Sequence, residues 1–543
     1  MSSAASATSV SPPAPVSPLR LWPGVIIVAV LWAFFEVLPR LELESRQFLF
    51  YFQWGSMGLI GLFGLWWLFL SRAPWFDRIA LFLLCAAAGT AVWPFTHPSV
   101  EGYGALMYVV YAIPVVLAVW MIWLVATPFL GWQVRRAGLW VLVAIAWIYP
   151  TLLRLDGTTS DIKVTVNFRW KPTPEEQFLA EKKAKAGDKS DASLAAVSAA
   201  DFEDWPGFRG SKRDGSRSGV RINTDWQQHP PRLVWRQRVG PGWGSFTVVG
   251  NRLFTQEQRG KLETVVCYDA ETGKEIWAHE DNERFYEAVG GPGPRGTPTF
   301  HEGRLYTLGA TGKLDCLDAA TGKEIWSKNI VADSGAKTQH WGFTASPAVA
   351  QGVVTVFAGG PKGKSVLGYK TASGDLAWAK GEGENSYSST HVARLLGVEQ
   401  ILMATETGLT SFEPTTGNIL WKYTPDKAEG AEPRANGAPI TQPVVLNDSE
   451  VLYGTSDGGT WRIQVKQDGY QWSTKDVWAS PSRSIKPYFN DMVIHDGYIY
   501  GFDGASTILF TCVDLKDGKT KWRERGYGGG QCLLLPDQNL ILV

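Results

Sequence analysis

The sequence predicts an N-terminal bundle of about five apolar helices followed by a large all-β repeat domain. Three observations carry this: apolar runs confined to the first 153 residues, 26 Trp and 57 Gly in a chain of 543, and a Trp-terminated unit that recurs six times after residue 204. The composition changes so sharply near residue 154 that whole-chain averages describe neither half. Lys+Arg and Asp+Glu both number 52, so the chain has no formal net charge and offers no electrostatic footprint for nucleic acid. Five cysteines with no CxxC and no paired Cys–His spacing argue against a disulfide framework, a zinc site or covalently attached haem.

Residues 1–20 are rich in Ser, Ala and Pro and read as a disordered tail. Residues 21–153 form the membrane domain, with apolar stretches at roughly 21–38, 51–71, 78–95, 103–130 and 138–153. The run LWPGVIIVAVLWAFFEVL has no small-residue cleavage site after it and is followed by further apolar spans, so it reads as a retained helix. Arg20, Arg72, Arg78, Arg135 and Arg136 fall in alternate flanking segments, whereas Arg40 and Arg46 are offset by Glu42 and Glu44. This bias sets the N-terminus in the cytoplasm of a bacterial-type inner membrane. Five crossings then place the rest in the periplasm, with the lipid bilayer as first partner. Glu36 lies near the end of its span and snorkels to the interface, and the poverty of charge in the spans disfavours a transporter.

Residues 154–203 hold a β-like stretch, DIKVTVNFRW, and then a charged, Ala-rich run that reads as a spacer. From residue 204 the copies are CYDAETGKEIW, CLDAATGKEIW, GYKTASGDLAW, SFEPTTGNILW, IQVKQDGYQW and CVDLKDGKTKW, ending at Trp277, Trp326, Trp378, Trp421, Trp472 and Trp522. Gly supplies the left-handed conformation of a tight turn between two strands. The following Trp wedges against a neighbouring unit, so that stacked units share a core that none could bury alone. A period of 43 to 52 residues fits one four-stranded propeller blade. Cys267, Cys316 and Cys512 stand at one position of three copies and read as small buried strand residues.

These units resemble the tryptophan-docking repeats of the PQQ-type propeller superfamily, over residues 204–543. The resemblance implies an eight-bladed ring in which an early outer strand, here LVW ending at Trp235, completes the last blade. After Trp522 the segment GYGGGQCLLLPDQNLILV reads as two strands of a seventh blade. Either an eight-bladed ring is truncated at the C-terminus, or a seven-bladed ring closes through the Trp235 strand.

In the enzyme branch of that superfamily the resemblance implies PQQ at the propeller axis, a Ca²⁺ held by Glu, Asn and Asp, and an Asp acting as base. The segments that depart most from the plain repeat are GGPGPRGTPTF, HWGFTASP, GENSYSSTH and SIKPYFNDMVIHDG. They supply Asp491 as candidate base, Glu384, Asn490 and Asp491 as candidate Ca²⁺ ligands, and Arg295, Trp341, Tyr387, Lys486 and Asn490 as candidate PQQ contacts. The plain alternatives are loop salt bridges for Arg295 and Lys486, a turn for Asn490 and Asp491, and ordinary hydrogen bonding for His340 and His391. The chain has no adjacent cysteine pair and its linking segments are short. It therefore looks more like the nonenzymatic branch, whose members act as assembly subunits. The expectation is a membrane-anchored binding or scaffold module with a periplasmic or membrane protein partner. The alternative is a PQQ-dependent dehydrogenase that oxidises an alcohol or sugar and passes electrons to membrane quinone.

Overall fold

Each apolar run of the N-terminal half becomes a helix: α1 Trp22–Val37, α2 Tyr51–Leu70, α3 Trp75–Phe95, α4 Ala105–Ala126 and α5 Trp132–Ala146. The computed structural model describes residues 19–41, 50–102, 104–158, 164–184, 204–425, 439–455, 458–480, 485–504 and 508–543. The tail through residue 18, the loop residues Glu42, Glu44 and Arg46, and the spacer from 185 to 203 lie outside these. By length and composition α2 and α3 can cross a membrane, while α1 and 110–126 are apolar but shorter. Tryptophans knit the bundle where glycine makes room. The Trp66 ring fills the space a Cβ on Gly24 would need, and Trp123 does the same at Gly138. Trp67 meets Trp120 edge to face at 4.7 Å, a geometry the ring quadrupoles favour. Buried Asp77 accepts from the Trp132 indole at 2.8 Å and faces Arg136 at 3.6 Å.

The chain leaves this unit through two short strands, Leu153–Thr158 and Val164–Phe168, and enters a second compact unit. The first helix of that unit is α6, Pro174–Ala184. Thr173 and Glu176 cap it reciprocally, the Thr173 N–H donating to Glu176 and the Glu176 N–H to the Thr173 hydroxyl. This part of the charged stretch docks on the first sheet. Glu175 pairs bidentately with Arg284 at 2.8 and 2.9 Å, Lys182 pairs with Glu275, and Phe178 is buried beneath the Arg259 guanidinium.

Among the described residues six four-stranded antiparallel sheets follow, numbered here in chain order: 247–281, 299–329, 348–380, 391–423, 444–480 and 493–524. A two-stranded pair, Leu533–Leu535 and Leu540–Leu542, comes last. In the first sheet the strands are Thr247–Val249, Arg252–Arg259, Leu262–Asp269 and Glu275–Asp281, and the other sheets repeat this order.

Adjacent sheets are joined by one device. The Trp277 ring lies against Gly322 of the next sheet and its indole donates to the Ala319 carbonyl at 3.2 Å. Trp326 stands likewise over Gly374 with a 2.9 Å bond to Thr371, and Trp378 over Gly417 with a 2.9 Å bond to Pro414. Trp235, although outside any sheet, docks on Gly273 and the Ala270 carbonyl in the same way. Gly is required twice over, since φ is +69° to +72° at these four turns and a Cβ would lie within 2.7 Å of the indole. Opposite each docking Trp the third strand carries a small residue: Cys267, Cys316 and Gly368 face Trp277, Trp326 and Trp378.

The fifth sheet corrects one repeat position. Its last two strands, Gly459–Asp468 and Gln471–Ser480, are ten residues each. Trp472 pairs with Gln467 near the hairpin tip. Trp478 instead occupies the bulge register held by Trp326 in the second sheet, pairing with Arg462, and docks on Gly518 with a 2.9 Å bond to Leu515. The Asp-Gly turn before Trp472 imitates the repeat but belongs to an elongated hairpin. Because this turn is displaced, Trp421 finds no glycine ahead of it among the described residues, and its indole bonds the Gln400 side chain at 2.9 Å. Trp522 is 39% exposed.

Candidate functional site

The residue two positions before the first strand of each sheet marks the inner end of that sheet. In the first four sheets this residue is Ser245, Thr297, Ser346 and Ser389. Each backbone N–H donates to the hydroxyl of the next: Ser245 to Thr297 at 2.9 Å, Thr297 to Ser346 at 2.9 Å, Ser346 to Ser389 at 2.8 Å. The series resumes between the fifth and sixth sheets, where the equivalent residues are Gln442 and Asp491. The Gln442 N–H donates to Asp491 Oδ1 at 3.0 Å. Asp491 is thus the carboxylate member of a structural series otherwise built on hydroxyls and an amide.

Residues 204–217 cross these inner ends. Trp205 exchanges backbone bonds with Val248, the Phe300 N–H donates to the Pro206 carbonyl, Arg213 donates to the Pro347 carbonyl at 3.0 Å, and Arg209 donates to the Met492 carbonyl at 2.6 Å. Gly215 and Arg217 pair with Leu534 of the terminal pair. One segment therefore touches the first, second, third and sixth sheets and the final strands, so their inner ends converge on it. Its path needs sharp turns, and Arg209 and Arg213 adopt φ of 64° and 54°. Such left-handed backbone is costly for a side-chain-bearing residue and persists only where contacts enforce it.

Within the cluster Arg209 pairs with Asp491 Oδ1 at 3.0 Å, both side chains being under a tenth exposed. Burial, then the Arg209 charge, pushes Arg213 down to about 10, and Asp491 offsets part of this. Burial and then the two arginines push His391 down to about 3, so that ring is neutral at ordinary pH. Arg213 Nε and His391 Nδ1 have no hydrogen-bond partner among the described residues.

Of the other candidates, the structure brings Arg295 and Tyr387 to the backbone of Trp341. Arg295 pairs with Glu287 at 3.3 Å, lies over Phe285, and reaches the Trp341 carbonyl at 3.4 Å. Tyr387 donates its backbone N–H to Pro439 and accepts from Thr344. Glu384 is exposed; its N–H and that of Asn385 bond Glu406 at 2.7 and 2.9 Å. The Lys486 N–H bonds Asp503, and the Asn490 amide donates to the Gly530 carbonyl. PQQ and Ca²⁺ do not fit this donor set. Asp491 is paired with Arg209 and holds the Gln442 N–H, Asn490 points its amide donor at a carbonyl, and the chain's own residues 204–217 run through the place where the sheets converge. Arg209, Arg213 and Gln442 were not among the sequence candidates. The available signal was two arginines in WPGFRGSKRDG, each beside a turn residue.

A family model described as "Outer membrane protein assembly factor BamB" matches residues 228–291 and 263–524, more than half of the chain. No curated protein matches the sequence. Among solved structures, similarity extends to BamB from Moraxella catarrhalis at 15% identity, over 55% of this chain and 77% of that one, with a TM-score of 0.37. It extends also to quinohemoprotein alcohol dehydrogenase from Comamonas testosteroni at 15% identity, over 67% and 73%, with a TM-score of 0.44. A europium-containing methanol dehydrogenase is similar at 13% identity, over 62% and 88%, with a TM-score of 0.34.

Proposed function

Since the chain belongs to the family of the outer membrane protein assembly factor BamB, we propose that it is a membrane-anchored, extracytoplasmic propeller that serves as a scaffold for protein partners and carries no redox cofactor. The observation that carries this reading is the state of Asp491. As base or metal ligand it would need an open carboxylate, but it closes the series of inner-end hydrogen bonds and balances Arg209. Anchoring is supported by the apolar helices α2 and α3 and by the alternation of basic flanks, which favours an inside N-terminus. Five crossings then set the sheets outside the cytoplasm.

Full-length protein in detergent, incubated with PQQ and Ca²⁺, tests the cofactor part. The expected result is no stoichiometric quinone absorbance and no alcohol- or sugar-dependent dye reduction. Uptake with turnover overturns the scaffold in favour of a dehydrogenase. Protease added to oriented vesicles tests topology: digestion of the sheets from the extracytoplasmic face is expected, and digestion only from the cytoplasmic face sinks the proposed orientation.

A further inference from the structure

The junction of the first and second sheets holds a group of side chains with no place in the scaffold reading. His279 and Asp281 lie on the last strand of the first sheet and Asp315 on the third strand of the second. One ligand atom from each lies within 4.8 Å of the others. Asp315 is 2% exposed and its Oδ1, which faces the Lys313 ammonium, has no hydrogen-bond partner among the described residues. Among the described residues His279 Nε2 is likewise without a hydrogen-bond partner, and it stands 3.5 Å from Asp281 Oδ1. Lys313 supplies a cation beside them: its ammonium pairs with Asp281 and lies 3.7 Å from Asp315 Oδ1, beyond hydrogen-bond reach.

We propose that His279, Asp281 and Asp315 form a divalent-cation site of the zinc class, which Lys313 closes when no metal is bound. One imidazole and two carboxylates suit a small borderline ion, whose ligands at about 2.1 Å stand about 3.4 Å apart in a tetrahedron. The His279–Asp281 separation of 3.5 Å already meets this. Calcium, which takes about six to eight oxygens, does not suit a set with an imidazole and so few carboxylates. Glu324 Oε2, 4.0 Å from His279 Nε2, is a fourth ligand within reach of a side-chain rotation, and water is the alternative. A metal here would tie the outer strand of one sheet to the next, beside the Trp277 contact. Lys313, 27% exposed, swings outward to admit it.

The test uses chelator-treated full-length protein, titrated calorimetrically with Zn²⁺ and spectroscopically with Co²⁺. One Zn²⁺ per chain and visible Co²⁺ bands of tetrahedral intensity are expected. Asp315→Asn should weaken Zn²⁺ by about 100-fold, and Lys313→Met, which removes the competing ammonium, should tighten it by about tenfold. His279→Gln, at a half-buried position, provides a second loss-of-ligand variant should Asp315→Asn fail to fold. Absence of binding, or binding that none of the three substitutions alters, overturns the site.

Discussion

The junctions that follow the first three sheets and the junction between the fourth and fifth begin from the same sequence unit and end in different structures. After the second sheet, Trp326 meets a glycine turn and a backbone carbonyl of its neighbour. After the fourth, Trp421 has no such turn before it among the described residues and bonds Gln400 within its own sheet. The difference teaches that docking is set by the receiving turn. A Trp supplies apolar area wherever it is placed, but a neighbouring sheet becomes its partner only where a residue without a Cβ and a carbonyl at the turn are both in reach.

The largest effect expected is at a docking junction. Trp326→Ala removes a buried ring from the core shared by the second and third sheets and should cost about 3 to 5 kcal/mol in urea unfolding followed by circular dichroism. Gly374→Ala attacks the same contact from the other side, where φ is +72° and the new Cβ would lie 2.7 Å from the Trp326 ring. It should cost about 2 kcal/mol or more, against about 1 kcal/mol for Gly469→Ala, where φ is also positive but the space is open. Equal losses at the two glycines would mean that backbone conformation alone, not docking, demands Gly.

The contrasting junction depends on a side chain, and that makes it breakable differently. Gln400 Oε1 accepts from both the Trp421 indole and the Ser411 hydroxyl, and all three residues are buried. Gln400→Leu leaves two donors without a partner and should cost about 2 to 3 kcal/mol. No side-chain replacement can do the same at Trp326, because its acceptor is the Thr371 backbone carbonyl.

How far the sequence discloses all this depends on whether a feature is local. The Asp-to-Gly turns are local: in the first sheet the Asp269 carboxylate accepts from Thr272 and its carbonyl from the Gly273 N–H, all within five residues. Turn and docking Trp could therefore be read directly at Trp277, Trp326 and Trp378. The inner-end cluster is not local. Arg209 reaches Asp491 and Met492 across 283 residues or so, and Arg213 reaches Pro347 across 134. A buried arginine in an aperiodic loop looks in sequence like a surface one, which is why Asp491 stood out as an open carboxylate while its counter-charge did not.

That cluster yields the next prediction, smaller and dependent on pH. His391 faces Arg209, Arg213 and Gln442, and its folded proton affinity is depressed to about 3, whereas the unfolded chain titrates near 6.5. The unfolded state therefore binds the extra proton first. Stability contributed by the neutral ring is full above pH 6.5 and is lost as pH falls toward 3. Between about pH 6 and 5 this amounts to about 1 kcal/mol, and His391→Gln should flatten that part of the stability profile. An unchanged slope in the variant would assign the acid sensitivity to other groups.

The smallest effect should come from the residue whose sequence context most resembles a docking unit. Trp472 follows an Asp-Gly turn, yet it pairs with Gln467 near the hairpin tip and only flanks the core that Trp421 and Trp461 fill. Trp472→Ala should cost about 1 kcal/mol or less, while Trp478→Ala, which empties the contact over Gly518 and frees the Leu515 carbonyl, should cost more than twice that. The ordering of the two is the sharp quantity, since both are tryptophans on one strand six residues apart. If Trp472 proved the costlier, the bulge between Arg462 and Ile463 that assigns the docking register to Trp478 would be misplaced, and the fifth sheet would have to slide until its Asp-Gly turn faced Trp421.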